Sequence, residues 1–166
     1  TVAPTGTISI IADCSSGIEP LFAIAFVRNV LEGTRLLEVN KEFEEVARKR
    51  GFYSEELMHR IARVGSIQKI KEVPADMRRV FVTAMDIAPE WHVRMQAAFQ
   101  KYVDNAVSKT VNLPANATPE DIKKIYLLAW RLRCKGITAY RYGSKEERVL
   151  TYVGEVTGKK EAVSEQ

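Results

Sequence analysis

The first candidate for chemistry is a cluster of hydroxyl side chains beside a glycine at the start of the chain. It comprises Ala3, Pro4, Thr5, Gly6, Thr7, Ile8 and Ser9. A phosphate group needs several inward-pointing donors and a backbone that allows close approach. The three hydroxyls and successive backbone N–H groups provide the donors, and Gly6 has no side chain to block the approach. The pattern indicates a phosphate-binding loop, with an ordinary turn before a strand as the alternative.

The two cysteines, Cys14 and Cys134, are the only candidate thiol nucleophiles. They form no CxxC pair and no close pair of metal ligands. A reactive thiolate needs a neighbouring base or positive field, and no histidine lies near Cys14 in sequence. We therefore expect both to be buried structural thiols in a reducing compartment, and we assign no metal site.

For two further polar residues the sequence allows either a functional or a structural role. Glu19 lies in the segment Gly-Ile-Glu-Pro, where a carboxylate could orient a neighbouring loop or could simply be a turn residue. His92 follows Trp91 in a helical pattern. A lone histidine without partner ligands is usually structural, so we do not predict a metal ligand there.

The first half of the chain must position these residues with a mixture of strands and helices. Residues 7–12 are rich in β-branched side chains and predict a buried strand. Residues 21–31 and 34–39 predict a hairpin, and helices are expected over residues 40–50 and from Ser54 to a stop at Gly65. Residues 66–74 predict a polar connector, and residues 80–84 a short extended segment.

The second half predicts an alternation of helix and strand, which indicates an α/β fold. A helix from Pro89 is expected to bury an apolar stripe formed by Trp91, Met95, Ala98, Phe99, Tyr102 and Ala106. Strands are expected at residues 110–113, 137–141 and 148–153. Between the first two lies a helix capped by Thr118, with a buried face of Ile122, Ile125, Tyr126, Ala129 and Leu132.

Composition excludes several classes of function. The 166 residues are 46% hydrophobic, and no apolar run approaches the length of about 20 residues that crosses a bilayer. We expect no membrane association and no signal peptide, hence a cytoplasmic location. The net charge is +4, but the basic run at residues 48–50 predicts a solvated helix face and no nucleic-acid site. Residues 154–166 are too polar to pack and are expected to be disordered.

Four longer blocks match one known family in order and spacing. They are APTGTISIIA at residues 3–12, CSSGIEPLFA at 14–23, PEWHVRMQAAFQKYVDNAVSKTVNLP at 89–114 and CKGITAYRYGS at 134–144. With these blocks the chain resembles the adenosylcobalamin-dependent (class II) ribonucleotide reductases, specifically a C-terminal segment of the large chain. The resemblance extends over nearly the whole chain.

The resemblance implies that residues 1–153 form part of a ten-stranded α/β barrel, namely its C-terminal strands and helices. It also implies that Ala3, Pro4, Thr5, Gly6, Thr7, Ile8 and Ser9 bind the phosphates of a ribonucleoside di- or triphosphate. The family reduces ribonucleotides to deoxyribonucleotides through a cysteine thiyl radical on an Asn-x-Cys-x-Glu loop. This sequence has no such motif. We therefore expect no catalytic residue in this chain, an inactive isolated chain, and catalytic residues in upstream sequence.

The implied cofactor is adenosylcobalamin, which would be bound in the complete enzyme through contacts that this sequence does not define. The implied partners are the ribonucleotide and the upstream portion of the same enzyme. A second hypothesis is a non-catalytic module that binds a nucleotide or phosphate, or that associates with another chain. An isolated piece of a barrel exposes sheet edges and apolar side chains, so self-association is also expected.

Overall fold

The computed structural model describes residues 1–29 and 35–144. Within these residues the chain forms two compact units, one of residues 1–21 and 87–144 and one of residues 22–86. The elements in chain order are α1 (Gly6–Ala12), β1 (Ala25–Asn29), β2 (Arg35–Val39), α2 (Lys41–Lys49), α3 (Glu55–Val64), α4 (Ala75–Val80), α5 (Pro89–Gln100), β3 (Thr110–Leu113), α6 (Pro119–Arg131) and β4 (Thr138–Arg141). The expected strand at residues 148–153 and the tail lie outside the described residues.

The first unit is built on parallel strand pairing. β3 pairs in parallel with β4, and α6 connects them, which makes a βαβ unit. Val2 extends the parallel arrangement through an isolated bridge to Val107. α5 and α6 cover a core in which Val93, Val111 and Leu113 are buried. The predicted strands at 110–113 and 137–141 are confirmed to within one residue, and so is the α/β character of this half.

α6 begins as its sequence predicts. Thr118 accepts a hydrogen bond from the backbone N–H of Asp121, and the Asp121 side chain accepts from the backbone N–H of Thr118, which forms a complete capping box. Ile125 and Ala129 are buried, as predicted. Tyr126 was expected on the same buried face, but its side chain is exposed.

The prediction of a buried strand at residues 7–12 is wrong. The chain turns at Thr5, whose φ of 51° is left-handed, and the Ser9 N–H then bonds to the Thr5 carbonyl at 3.0 Å to begin α1. β-branched side chains favour a strand only where neighbouring strands pack against them. Pairing ends at Val2 here, so Ile8, Ile10 and Ile11 lie on an exposed helix.

The prediction of an apolar buried face on the helix from Pro89 is also wrong. The helix forms over Pro89–Gln100, but the stripe side chains Trp91, Met95, Phe99 and Tyr102 are exposed in this chain. The buried face contains Gln96 and Gln100 instead. Gln96 Nε2 donates to the carbonyls of Val107 and Gly136, and Gln100 Nε2 to those of Val103 and Asn105. Burial of these amides satisfies loop carbonyls that would otherwise lack partners.

The second unit packs the antiparallel hairpin β1–β2 with three helices. The predicted pairing is confirmed, with Ala25 opposite Val39 and Val27 opposite Leu37, while the turn lies outside the described residues. Asn40 caps α2 and Ser54 caps α3. Gly65 ends α3 with a φ of 73°, a conformation that favours glycine.

The centre of the second unit is Phe43, which is fully buried. Its ring packs edge-on against Phe52 and Phe81, at centroid distances of 6.1 and 5.2 Å. The polar connector expected at residues 66–74 contributes Ile67 and Val73 to this core.

The predicted extended segment at residues 80–84 is wrong, because α4 runs to Val80 and turns follow it. The Asp86 carboxylate holds these turns. It accepts from the Ser66 hydroxyl and from the N–H and hydroxyl of Thr83. Among the described residues, no helix has both the length and the apolar character needed to cross a membrane.

Candidate functional site

The loop at residues 3–9 leaves the paired segment at Val2 and enters α1. Ligands of parallel sheets bind beyond the carboxyl ends of strands, which is where this loop lies relative to Val2. The first backbone N–H groups of a helix, here those of Gly6, Thr7 and Ile8, have no partner within the helix. Among the described residues, no side chain caps this end of α1. The N–H groups therefore remain available to an anion.

The three hydroxyls of the loop have different surroundings. Thr7 is exposed and Thr5 is half-buried, so neither residue is enclosed in the core. Ser9 is buried, and its hydroxyl donates to the Gly6 carbonyl at 2.7 Å. A Cβ placed on Gly6 would meet no protein atom within 4 Å. The space above Gly6 is thus open, as the approach of a phosphate would require.

A second loop supports the first from one side. The Ser16 hydroxyl donates to the Pro4 carbonyl at 2.5 Å and lies 3.4 Å from Thr5 Oγ1. A Cβ placed on Gly17, whose φ is +53°, would lie 3.5 Å from the Ala3 carbonyl oxygen. The segment around Ser16 and Gly17 therefore contacts the loop at Ala3, Pro4 and Thr5.

Glu19, which follows this segment, belongs to a buried charge cluster. The centre of the cluster is Lys109, which the sequence reasoning missed. The side chain of Lys109 is 1% exposed, and its Nζ is 2.6 Å from Glu19 Oε2, 2.8 Å from His92 Nδ1 and 2.5 Å from the Thr110 carbonyl. Glu19 Oε1 also accepts the Thr110 N–H at 2.5 Å. The cluster favours the orienting role for Glu19 over that of an ordinary turn residue.

Burial and the hydrogen-bond partner Glu19 shift the pKa of Lys109 in opposite directions. Desolvation lowers the pKa of its ammonium group below the ordinary value, and the hydrogen bond and charge of Glu19 raise it by less. A charged Lys109 has three N–H donors, one for each of its three neighbours Glu19, His92 and Thr110. His92 is itself buried.

A cavity of about 540 Å³ opens beside this cluster. Its wall is mainly apolar and includes Ile18, Pro20, Trp91 and Met95. Glu19, His92 and Lys109 also line it. The cavity joins the charged cluster to the exposed apolar side of α5.

The cysteines differ from the prediction of two buried thiols. Cys14 is exposed, because the helix that precedes it faces solvent where a buried strand was expected. Cys134 is half-buried against the core of the first unit, and burial raises the pKa of its thiol. Within the part of the chain that the structure describes, no group of three or more His, Cys, Asp or Glu side chains could hold a metal ion.

Comparison with known proteins gives a consistent set of relatives. The chain is 57% identical over 151 residues to the vitamin B12-dependent ribonucleoside-diphosphate reductase of Mycobacterium tuberculosis (strain ATCC 25618 / H37Rv), a match that covers 91% of this chain and 21% of that protein. The Thermoplasma acidophilum protein of the same name is also 57% identical, over 91% of this chain and 20% of its own length. The chain spans about a fifth of the length of these curated relatives.

A solved structure shares the fold. The class Id ribonucleotide reductase alpha subunit of Actinobacillus ureae superposes with a TM-score of 0.70 and 25% identity, over 85% of this chain and 26% of that one. No closed barrel forms among the described residues, whose strands make two small sheets. A family profile described as "Ribonucleotide reductase, barrel domain" matches residues 1–140. With this match and the 57% identity, the chain belongs to the ribonucleotide reductase barrel-domain family.

Proposed function

We propose that residues 3–9 bind the phosphates of a ribonucleotide in a vitamin B12-dependent ribonucleotide reductase. The observation that supports this most directly is the uncapped start of α1, where Gly6 leaves open space beside the first N–H groups of the helix and the exposed residue Thr7. Oriented backbone N–H groups and hydroxyls are suited to phosphate oxygens. The names of two relatives specify ribonucleoside diphosphates, so we take a diphosphate as the substrate.

In this proposal the chain is a C-terminal part of a ten-stranded α/β barrel, and residues 1–153 form one catalytic-domain segment. The chain binds and orients the substrate, and other sequence performs the radical chemistry. The absence of Asn-x-Cys-x-Glu from the sequence supports this division. The isolated chain is then a binding segment without turnover.

Adenosylcobalamin is the cofactor that the relatives' names imply. When bound, it supplies the radical that the reaction needs. Among the described residues, we assign no side chain as a contact of this cofactor. His92 Nδ1 is next to Lys109 in the buried cluster, and His59 lies exposed on α3 in the other unit.

The partner of this chain is the remaining portion of the same enzyme. The stripe on and after α5 exposes Trp91, Met95, Phe99 and Tyr102, with 65% of Trp91 and 89% of Tyr102 accessible. An apolar surface of this kind is costly in water and typical of an interface. In the complete enzyme these side chains would regain the buried role that their spacing predicts.

Substitution of Gly6 by Ala in the complete enzyme tests the loop. The new methyl group meets no protein atom, so folding is unaffected, but it occupies the space that the phosphate would enter. We expect KM for the ribonucleotide to rise about tenfold, which corresponds to a loss of about 1.4 kcal/mol of binding free energy.

Gly136→Ala is the matched control, because a Cβ at Gly136 in the same unit also meets nothing within 4 Å. Its KM should equal that of the parent enzyme. Thr5→Ala/Thr7→Ala should also raise KM, by removing the two accessible hydroxyls. A parental KM in both the Gly6 and the threonine variants would refute the loop assignment.

A further inference from the structure

Residues 3–5 of the loop precede α1 and lie outside its helical turns. Thr5 adopts a left-handed conformation that is uncommon for a β-branched residue, and such conformations persist only where the surroundings impose them. Among the described residues, Ser16 is the side chain that hydrogen-bonds to the Pro4 carbonyl and to the Thr5 hydroxyl. The position of Ser16 therefore affects the position of the loop.

Ser16 is itself held through Glu19. The Glu19 N–H donates to the Ser16 carbonyl at 2.9 Å, which closes a turn over residues 16–19. The two carboxylate oxygens of Glu19 then accept from Lys109 Nζ and from the Thr110 N–H. Thr110 begins β3, so this turn is attached to the central sheet of the first unit.

Lys109 fixes this attachment through several hydrogen bonds. Its three acceptors are provided by Glu19, His92 and Thr110, and they come from three separate segments of the first unit. An apolar side chain could fill the same volume, but only directional bonds fix the turn in one register relative to β3. Such supporting contacts commonly hold the residues that touch a ligand in a binding geometry.

We infer that Glu19 and Lys109 are positioning residues for the substrate-phosphate loop, acting through Ser16 on Pro4 and Thr5. The connection runs from β3 through Lys109 and Glu19 to the turn, and from the Ser16 hydroxyl to the loop. Neither charged side chain needs to touch the substrate. The inference rests on the proposed phosphate-binding role of residues 3–9.

Two variants of the complete enzyme test the two ends of this connection. Glu19→Gln keeps an amide oxygen for the Thr110 N–H but removes the charge that faces Lys109. Ser16→Ala removes the hydroxyl bond to Pro4 at a position near the surface, where folding tolerates the change. We expect each to raise KM for the ribonucleotide about three- to tenfold with kcat changed less than twofold. Asp121→Asn, an acid-to-amide change at the cap of α6, is the control and should leave KM unchanged.

The combined variant separates positioning from general destabilisation. If Glu19 acts through Ser16, the double variant should have the KM of the worse single variant, because the two changes break one connection. A lower melting temperature with unchanged KM in both single variants would overturn the inference and leave Glu19 a purely structural residue. A raised KM in Gly6→Ala combined with parental KM in Ser16→Ala and Glu19→Gln would overturn the positioning role alone. A parental KM in Gly6→Ala and in the threonine variants as well would overturn the phosphate loop itself.

Discussion

At the scale of single residues, the most consequential side chain is Lys109. A buried ammonium group is tolerated only where acceptors replace its hydration, and Lys109 has three of them. Its neighbours Glu19 and His92 line the wall of the cavity with it, and both contact its Nζ.

Lys109→Met should destabilise the protein by about 2–4 kcal/mol, because it keeps the volume but leaves the Glu19 carboxylate without its countercharge. Chemical denaturation followed by circular dichroism measures this loss. The control is Arg60→Met, which breaks an exposed ion pair with Glu72 that has a similar N–O distance of 2.8 Å. That pair is hydrated, so its loss should leave the unfolding midpoint nearly unchanged. Equal effects of the two substitutions would contradict the special role of the buried cluster.

At the scale of elements, the sequence predicted where several helices begin but did not predict the buried face of α5 or the helical state of α1. Asn40, Ser54 and Thr118 cap the helices that their types predict, since a cap depends on hydrogen bonds within a few residues. The buried face of α5 and the helical state of α1 depend on distant contacts, and the sequence pattern mispredicted both.

Thr118→Ala should lower the free energy of unfolding by about 1 kcal/mol, because the Asp121 N–H loses its acceptor at the start of α6. Thermal denaturation measures the shift. Thr138→Ala, at an exposed position in β4 of the same unit, provides the comparison. If both variants melt at the same temperature as the parent, the capping box does not contribute to stability.

The capping box at the start of α6 also predicts how the stability of the protein depends on pH. The backbone N–H of Thr118, and then its hydroxyl, hold the pKa of the Asp121 carboxyl below its usual value of 3.8. A carboxyl with a lowered pKa in the folded state stabilises the protein above its unfolded pKa. That contribution is lost as the pH falls through the folded pKa. Thermal melts from pH 6 to pH 2 should therefore show a smaller acid-dependent loss in Asp121→Asn than in the parent, and parallel curves would contradict this linkage.

At the scale of the whole molecule, the stripe on and after α5 is an exposed apolar surface of the first unit. Trp91, Met95, Phe99 and Tyr102 present it without cover among the described residues. In the family to which the chain belongs, the matched relatives are about five times longer than the matched region. The stripe is therefore where we expect the rest of the enzyme to pack.

The isolated 166-residue chain should self-associate through this stripe at micromolar concentrations. Trp91→Ser/Phe99→Ser should shift its elution in size-exclusion chromatography toward the monomer, and should weaken reassembly with the remainder of the enzyme. Val64→Ser, which changes an exposed apolar side chain in the other unit, is the control and should leave both unchanged. A parent chain that elutes as a monomer at these concentrations would contradict the prediction.

The sequence by itself determined the family, the parallel strands β3 and β4, the hairpin pairing and the capped helix starts, because these follow from local hydrogen bonding and from long matching blocks. It also proposed residues 3–9 as the phosphate loop, which stays a proposal. Only the tertiary structure decided that α1 is a helix, that α5 buries its glutamines, and that Glu19 meets Lys109. The physical reason is distance. Glu19 and Lys109 are 90 residues apart in the chain, and no local pattern encodes a partner that only folding brings within 2.6 Å.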